Sequence, residues 1–367
     1  MQISDISKII TNKVNGCELS NENYISTENM LPNCGGVTSA SSVPTTKVTS
    51  FLEGDVLLSN IRPYFKKVWF ARFDGGCSND VICLRADKNK CLPQYLYYTL
   101  STDKFIDSFS ASSKGTKMPR GDKNALLSYD FPERSIEEQL YIVDILGSID
   151  AKIENNQKLK IELCNYRYAI FQEKFILAAE KSPTNFRKIS LSELMDYAGG
   201  SQPPASEFIN EYKDGYVRFL QIRDYENDNH ITYIPISKKN KLCDEWDILI
   251  ARYGASLGRI CSGKIGAYNV ALAKILPKKE YYREFLRTYV TAEDFYKALN
   301  SKGERSAQAG FNQGDIDTFH LWFPFNENTV KEFDFIAKNI YEKILMIEKE
   351  SAKLNELKQL YLKKFFG

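Results

Sequence analysis

Only two histidines, His230 and His320, occur in 367 residues, and the eight cysteines include no Cys-x-x-Cys pair. A structural zinc site needs four clustered Cys or His ligands, so none is expected. Cys17, Cys34, Cys77, Cys83, Cys91, Cys164, Cys243 and Cys261 read instead as free thiols in a reducing cytosol, and a cytoplasmic location is expected. No window reaches about 18 uninterrupted apolar residues, and the start Met1-Gln2-Ile3-Ser4-Asp5 has neither a basic opening nor an apolar stretch. Neither a membrane span nor a secretory signal is expected. A phosphate-binding Gly-x-x-x-x-Gly-Lys-Ser/Thr loop is missing. The one Pro-Pro, in Gln202-Pro203-Pro204-Ala205, lacks the acceptor and the aromatic with which an amino-methyltransferase grips its target base. Neither histidine has a matching partner in the other repeat, which argues against a Ser-His-Asp site. The acidic pairs Asp244-Glu245 and Glu293-Asp294 could be forced into a metal-dependent nuclease, but acidic pairs are common on surfaces. No catalytic residue, metal site or cofactor site is therefore assigned.

What is present fits a folded chain of two ordinary domains with connectors, at 43% apolar and 26% charged residues. A net charge of +2 decides nothing about partners, because a basic face can be balanced by an acidic remainder. Local charge has to decide.

The chain repeats itself. Gly54-Asp55-Val56-Leu57-Leu58-Ser59-Asn60-Ile61-Arg62 and Trp246-Asp247-Ile248-Leu249-Ile250-Ala251-Arg252-Tyr253-Gly254 both read as a turn-forming Asp, a short apolar strand and a polar, basic loop. Ser78-Asn79-Asp80-Val81-Ile82-Cys83-Leu84 matches Tyr268-Asn269-Val270-Ala271-Leu272-Ala273, and helix-like Tyr95-Leu96-Tyr97-Tyr98-Thr99-Leu100 matches Phe285-Leu286-Arg287-Thr288-Tyr289-Val290, within short helices expected over 93–107 and 281–299. Tyr129-Asp130-Phe131-Pro132 matches Leu321-Trp322-Phe323-Pro324. After each Pro comes a long helical segment with an apolar seam. Ile149, Ile153, Leu163, Tyr166, Ile170 and Phe175 correspond to Ile340, Ile344, Leu354, Leu357, Tyr361 and Phe366, every pair at one and the same separation. Ser135 and Glu138 form a capping box at the start of the first helix, which should end before Ser182-Pro183. Asn156 falls on the seam where the other helix has Ile347, a polar residue able to fix register.

The expected fold is α+β: a globular unit over 1–134, a helix over 135–180, a second globular unit over 181–326 and a helix over 327–367. Two equal seams pack most simply as an antiparallel, coiled-coil-like spacer, about 60 Å long at 1.5 Å per residue.

Basic loops recur at matching places. Arg62, Lys66, Lys67 and Arg72 share 56–72 with Tyr64, Phe65, Trp69 and Phe70 and no acid; Lys114, Lys117 and Arg120 follow in an acid-free Ser/Gly-rich loop. In the second repeat Arg252, Arg259 and Lys264 occupy the acid-free stretch 248–264, and Arg305, Gln308 and Asn312 lie in the later loop. Lys and Arg neutralise phosphates, Arg reads guanine, and Asn or Gln reads adenine. Arg62, Lys66, Lys67, Lys114, Lys117, Arg120, Arg252, Arg259, Arg305, Gln308 and Asn312 are the expected DNA contacts. Trp69, Phe70 and Tyr253 read as packing residues rather than base stackers.

On these residues, and on Ile136-Glu137-Glu138-Gln139 and Ile142-Val143-Asp144-Ile145-Leu146-Gly147-Ser148-Ile149-Asp150-Ala151-Lys152-Ile153, the chain resembles the specificity subunit of type I restriction–modification systems. The resemblance implies two target-recognition domains, each reading one part of a bipartite, asymmetric site in double-stranded DNA. It also implies spacer helices that dock two DNA adenine methyltransferase subunits, with restriction/translocase subunits joining them. S-adenosylmethionine, ATP and Mg would then belong to those partners. A self-sufficient DNA-modifying enzyme and a coiled-coil scaffold that never touches DNA are the alternative readings.

Overall fold

The computed structural model describes residues 1–113, 115, 117–226, 228, 230–303 and 313–367, the side chains of residues 302, 303 and 313 excepted. The chain forms two compact units, Met1–Glu154 with Ser351–Gly367, and Asn155–Glu350.

In the first unit an inner antiparallel sheet has the spatial order Ser7–Ile9, Val81–Ala86, Val56–Ser59, Val68–Phe70. Strand Val56–Ser59 is buried throughout, because both faces of the sheet are covered. Its alternation sends Val56 and Leu58, with Ile82 and Leu84, against helices Pro93–Leu100 and Asp103–Ala111. Leu57, with Val81 and Cys83, faces an outer sheet on the other side. Each such side chain contributes about 1.5–3 kcal/mol on leaving water. The second unit repeats this plan. Its inner sheet runs Met195–Gly199, Leu272–Pro277, Ile248–Ala251, Ile260–Cys261, with Ile248 and Ile250 toward the helices and Leu249 and Ala251 toward the outer sheet. Where one helix was expected, each unit has two: Asp103–Ala111 restarts behind Thr102, whose hydroxyl caps Phe105, and Glu293–Gly303 follows Arg283–Thr291.

The outer sheets share three strands and differ in the fourth. Lys47–Phe51, Gly75–Cys77 and Tyr24–Ile25 correspond to Leu242–Cys243, Gly266–Tyr268 and Tyr216–Leu220, with the same antiparallel and parallel pairings. The extra strand is Lys13–Asn15 beside Lys47–Phe51 in the first unit, but Tyr233–Pro235 beside Tyr216–Leu220, the opposite edge, in the second.

Asp55 and Asp247 build the same turn before the central strand. Asp55 accepts the Leu52 N–H (2.8 Å) and takes Arg85 in a two-pronged pair at 2.7 Å; Asp247 accepts the Asp244 N–H (2.9 Å) and pairs with Lys274 at 3.0 Å.

The first long helix runs Ile136–Phe171, continues as a π-helical stretch over Gln172–Leu177 that the seam spacing does not announce, and closes with Ala178–Lys181. The second runs Asn328–Phe366. The capping box is formed: Ser135 N–H donates to Glu138 Oε2 (2.9 Å) and Glu138 N–H to Ser135 Oγ (3.2 Å). The Ser135 N–H and hydroxyl, both donating to that carboxylate, hold it below its ordinary range. Within each unit residue numbers rise on one helix as they fall on the other. Tyr141 meets Phe365 and Asp150 meets Lys358 in the first; Lys160 meets Glu348 and Phe171 meets Phe333 in the second. Each core is thereby closed by a helix end belonging to the other repeat. Leu362 and Phe366 fill the first core beside Tyr95, and Phe171 and Phe175 fill the second beside Phe285.

The seam departs from expectation at one matched place. Tyr166 and Leu357 are exposed, and the inward positions go to their neighbours Arg167 and Lys358. Polar groups waiting inside hold them there: Asp150 takes Lys358 at 2.6 Å and the Tyr98 hydroxyl at 2.9 Å, while Glu284 lies 4.0 Å from Arg167 and 3.0 Å from Arg287. Arg287 in turn stacks on Tyr341, 3.6 Å from the ring centre. Asn156 is buried and donates to Glu350 Oε2 at 2.8 Å, so the polar seam residue has a partner on the facing helix.

Candidate nucleic-acid interface

In the first unit, the ends of three segments converge. Asn60 N–H donates to Asp80 O (2.8 Å), Gly121 N–H to Asn60 O (3.1 Å), and Arg62 N–H to Pro119 O (2.8 Å), with Ile61 and Arg120 forming a bridge. This brings together Arg62, Lys117 and Arg120. Arg62 Nη2 lies 3.5 Å from the Lys117 carbonyl, and Arg120 pairs with Asp80 at 3.0 Å in solvent. Such an exposed pair is worth about 0–1 kcal/mol and yields readily to a phosphate.

Arg62 (φ 48°) and Lys66 (φ 54°) both take the left-handed conformation, at a cost of order 1–3 kcal/mol each for a residue other than glycine. In the second unit Gly254 (φ 66°) occupies the place of Arg62 without that cost. The strained pair brackets the turn Pro63–Phe65, whose Tyr64 and Phe65 rings are 4.8 Å apart and exposed. The Lys66 side chain is only 12% exposed and pairs with Asp103 at 2.7 Å. Lys67 donates to the Thr27 carbonyl at 2.6 Å, and burial lowers its pKa. Lys66 and Lys67 therefore stand apart from the Arg62–Lys117–Arg120 group. Lys114 lies outside the described residues. Trp69 is buried edge-on to Phe51, 6.0 Å away, and Phe70 leans on Tyr97, both packing roles.

In the second unit Arg252 N–H donates to Ala271 O (2.8 Å), as Asn60 does to Asp80 O. Its guanidinium lies 5.0 Å from the Tyr253 ring centre and 5.9 Å from that of Tyr197. Tyr253, expected to pack, is exposed. Arg259 pairs with Glu226 at 2.5 Å and Lys264 with Asp228 at 2.6 Å. Asp228 is pushed up by burial, but hydrogen bonds from Lys264 and Arg218 outweigh this and hold its carboxyl low. These cations already carry anionic partners, which a phosphate would have to displace. Arg305, Gln308 and Asn312 lie outside the described residues.

Two features escaped the sequence. Ser78 is matched by Asn269, one residue away from the alignment of Asn79 with Asn269: Ser78 N–H donates to Ile25 O and Asn269 N–H to Leu220 O, on paired parallel strands. In addition, Asn60, Ser78, Arg252 and Asn269 each bury a side-chain polar atom that has no hydrogen-bond partner.

Among the described residues no three His, Cys, Asp or Glu side chains are grouped to hold a metal. Asp244 caps its own turn, Glu245 pairs with Lys349 at 2.7 Å, and Glu293 with Lys297 at 2.7 Å. All eight cysteines are free, and burial pushes the thiols of Cys77, Cys91 and Cys243 up to about 12. No described helix is long and apolar enough to cross a membrane.

Residues 1–165 match the family model described as the type I restriction modification DNA specificity domain. The chain is 23% identical over 309 residues to the type I restriction enzyme MjaIX specificity subunit of Methanocaldococcus jannaschii, covering 76% of this chain and 70% of that protein. It is 30% identical over 123 residues to the EcoDI specificity subunit of Escherichia coli, covering 34% of this chain and 26% of that one. Among solved structures, the S subunit of a type I restriction–modification system from M. genitalium superposes with a TM-score of 0.63 at 17% identity, over 100% of this chain and 95% of that chain.

Proposed function

We propose that this chain, whose residues 1–165 match the type I restriction modification DNA specificity domain, reads a bipartite, asymmetric sequence in double-stranded DNA and leaves the chemistry to partner subunits. The observation that carries this reading is the duplicated unit. One inner sheet, one three-stranded outer core and one strand-end junction recur in two units, each closed by the other repeat's helix. Two copies of one scaffold with different side chains at the junction suit a site whose halves differ in sequence. Exposed Lys117 and Arg120 with half-buried Arg62 in one unit, and half-buried Arg252 and Arg259 in the other, supply cations for phosphates and base edges. Lys66, Lys67, Lys114, Arg305, Gln308 and Asn312 belong to the same proposal.

The partners in this reading are two DNA adenine methyltransferase subunits, with restriction/translocase subunits beside them, in the cytoplasm. S-adenosylmethionine, ATP and Mg act on those subunits. The apolar side chains Leu140, Tyr141, Ile161, Tyr166, Phe335 and Leu360, exposed on the long helices, are surfaces for such docking.

The test is Arg120→Ala assayed against duplexes altered in one half-site at a time. The expected result is weaker or relaxed discrimination confined to one half; equal loss at both halves would contradict modular reading. The purified chain with DNA, Mg²⁺ and S-adenosylmethionine should give neither methylated nor cleaved product.

A further inference from the structure

We infer that Asn60 and Arg252 are one base-reading position in two versions, Asn60 selecting adenine and Arg252 selecting guanine, with Ser78 and Asn269 as their matched polar neighbours. This rests on the reading of the chain as a DNA-sequence reader.

The two positions are the same place in the fold. Each follows directly on the fully buried central strand, Val56–Ser59 or Ile248–Ala251. Each donates its N–H to the residue preceding the matched partner strand, Asp80 O at 2.8 Å or Ala271 O at 2.8 Å. That partner strand is paired in the same register, Ser59 opposite Val81 and Ala251 opposite Leu272. Ser78 and Asn269 precede Val81 and Leu272 by three residues, and their carbonyls accept those residues' N–H groups.

Four orphaned polar atoms fall on these two matched positions: Asn60 Oδ1 and Ser78 Oγ in one unit, Arg252 Nε and Asn269 Oδ1 in the other. Asn60 is 9% exposed. A buried polar atom without a partner costs free energy that an apolar residue would not, so a structural role does not explain the same cost at the same two places twice. A ligand that supplies the missing partners does.

The side-chain chemistry names the ligand. A carboxamide presents an acceptor beside a donor, the complement of adenine N6 and N7; a guanidinium presents parallel donors, the complement of guanine O6 and N7. Asn60 is neutral and sits among Arg62, Lys117 and Arg120, a division into phosphate contacts that position and an amide that specifies. Arg252 is steadied by Tyr253 and Tyr197, and Gly199 keeps the space open: a Cβ there would come within 3.1 Å of Arg252 Nη1.

The experiment selects a randomised duplex-DNA pool with the full chain and sequences what is bound. The wild type should enrich a two-part motif with an A·T pair fixed in one half and a G·C pair in the other. Asn60→Asp, isosteric but acceptor-only, should abolish the adenine preference by roughly tenfold or more at that single position and favour cytosine. Arg252→Gln should move the other half's guanine to adenine. A switched preference cannot come from a misfolded variant. If the wild type selects a two-part motif and both variants select it unchanged, the assignment of these residues falls while bipartite reading stands. If the wild type selects no two-part motif, the underlying reading falls first.

Discussion

The ring of Phe366 lies 5.3 Å from that of Tyr95, in the core of a unit whose sheets belong to the other repeat. Phe175 and Phe285 make the matching contact at 4.8 Å. Each aromatic closes a core that its own repeat's sheets do not share. Phe366→Ala should destabilise the first unit by about 3–5 kcal/mol and Phe175→Ala the second by a like amount. Chemical denaturation checks this, and a loss below 1 kcal/mol at either site would mean that the helix end is dispensable there.

Glu327 gives the second unit a defined acid response. It accepts hydrogen bonds from Lys279 Nζ at 2.7 and 2.9 Å and from the Tyr281 hydroxyl, and these hold its carboxyl below the ordinary value of 4.5. A carboxylate depressed in the folded state contributes stability above its unfolded value, and that stability is lost as pH falls through the folded value. Glu327→Gln should lower the melting temperature at pH 7 and converge with the wild type on acidification below 4.5. A constant difference across that window would assign the effect to packing instead.

Lys117 is exposed beside Arg62 and Arg120. Lys117→Ala should weaken binding to all duplexes alike and reduce the slope of log affinity against log salt by about 1, the signature of one lost phosphate contact. A sequence-dependent loss would make Lys117 a reader rather than a clamp.

Much of this architecture is legible because duplication prints the same signal twice. The Asp-led strands at 55 and 247 and the apolar positions from Ile149 and Ile340 keep their separation wherever packing demands it. What stays hidden depends on contacts from outside the segment. Heptad spacing points Tyr166 and Leu357 inward, yet Arg167 and Lys358 take those places because Glu284 and Asp150 lie opposite. The fourth outer strand joins opposite edges in the two units, a choice of sheet edge that local pattern does not encode. Arg252 stands out by charge, but Asn60 and Ser78 look like ordinary strand-end residues. Only the matched register and the orphaned atoms set them apart.

The central claim is that this chain chooses the sequence at which partner subunits modify DNA. Mapping methylated adenines in the source genome, with the gene intact and deleted, addresses it most directly. The expected result is one bipartite, asymmetric motif methylated in the intact strain and lost on deletion. Identical methylation patterns in the two strains would contradict the account.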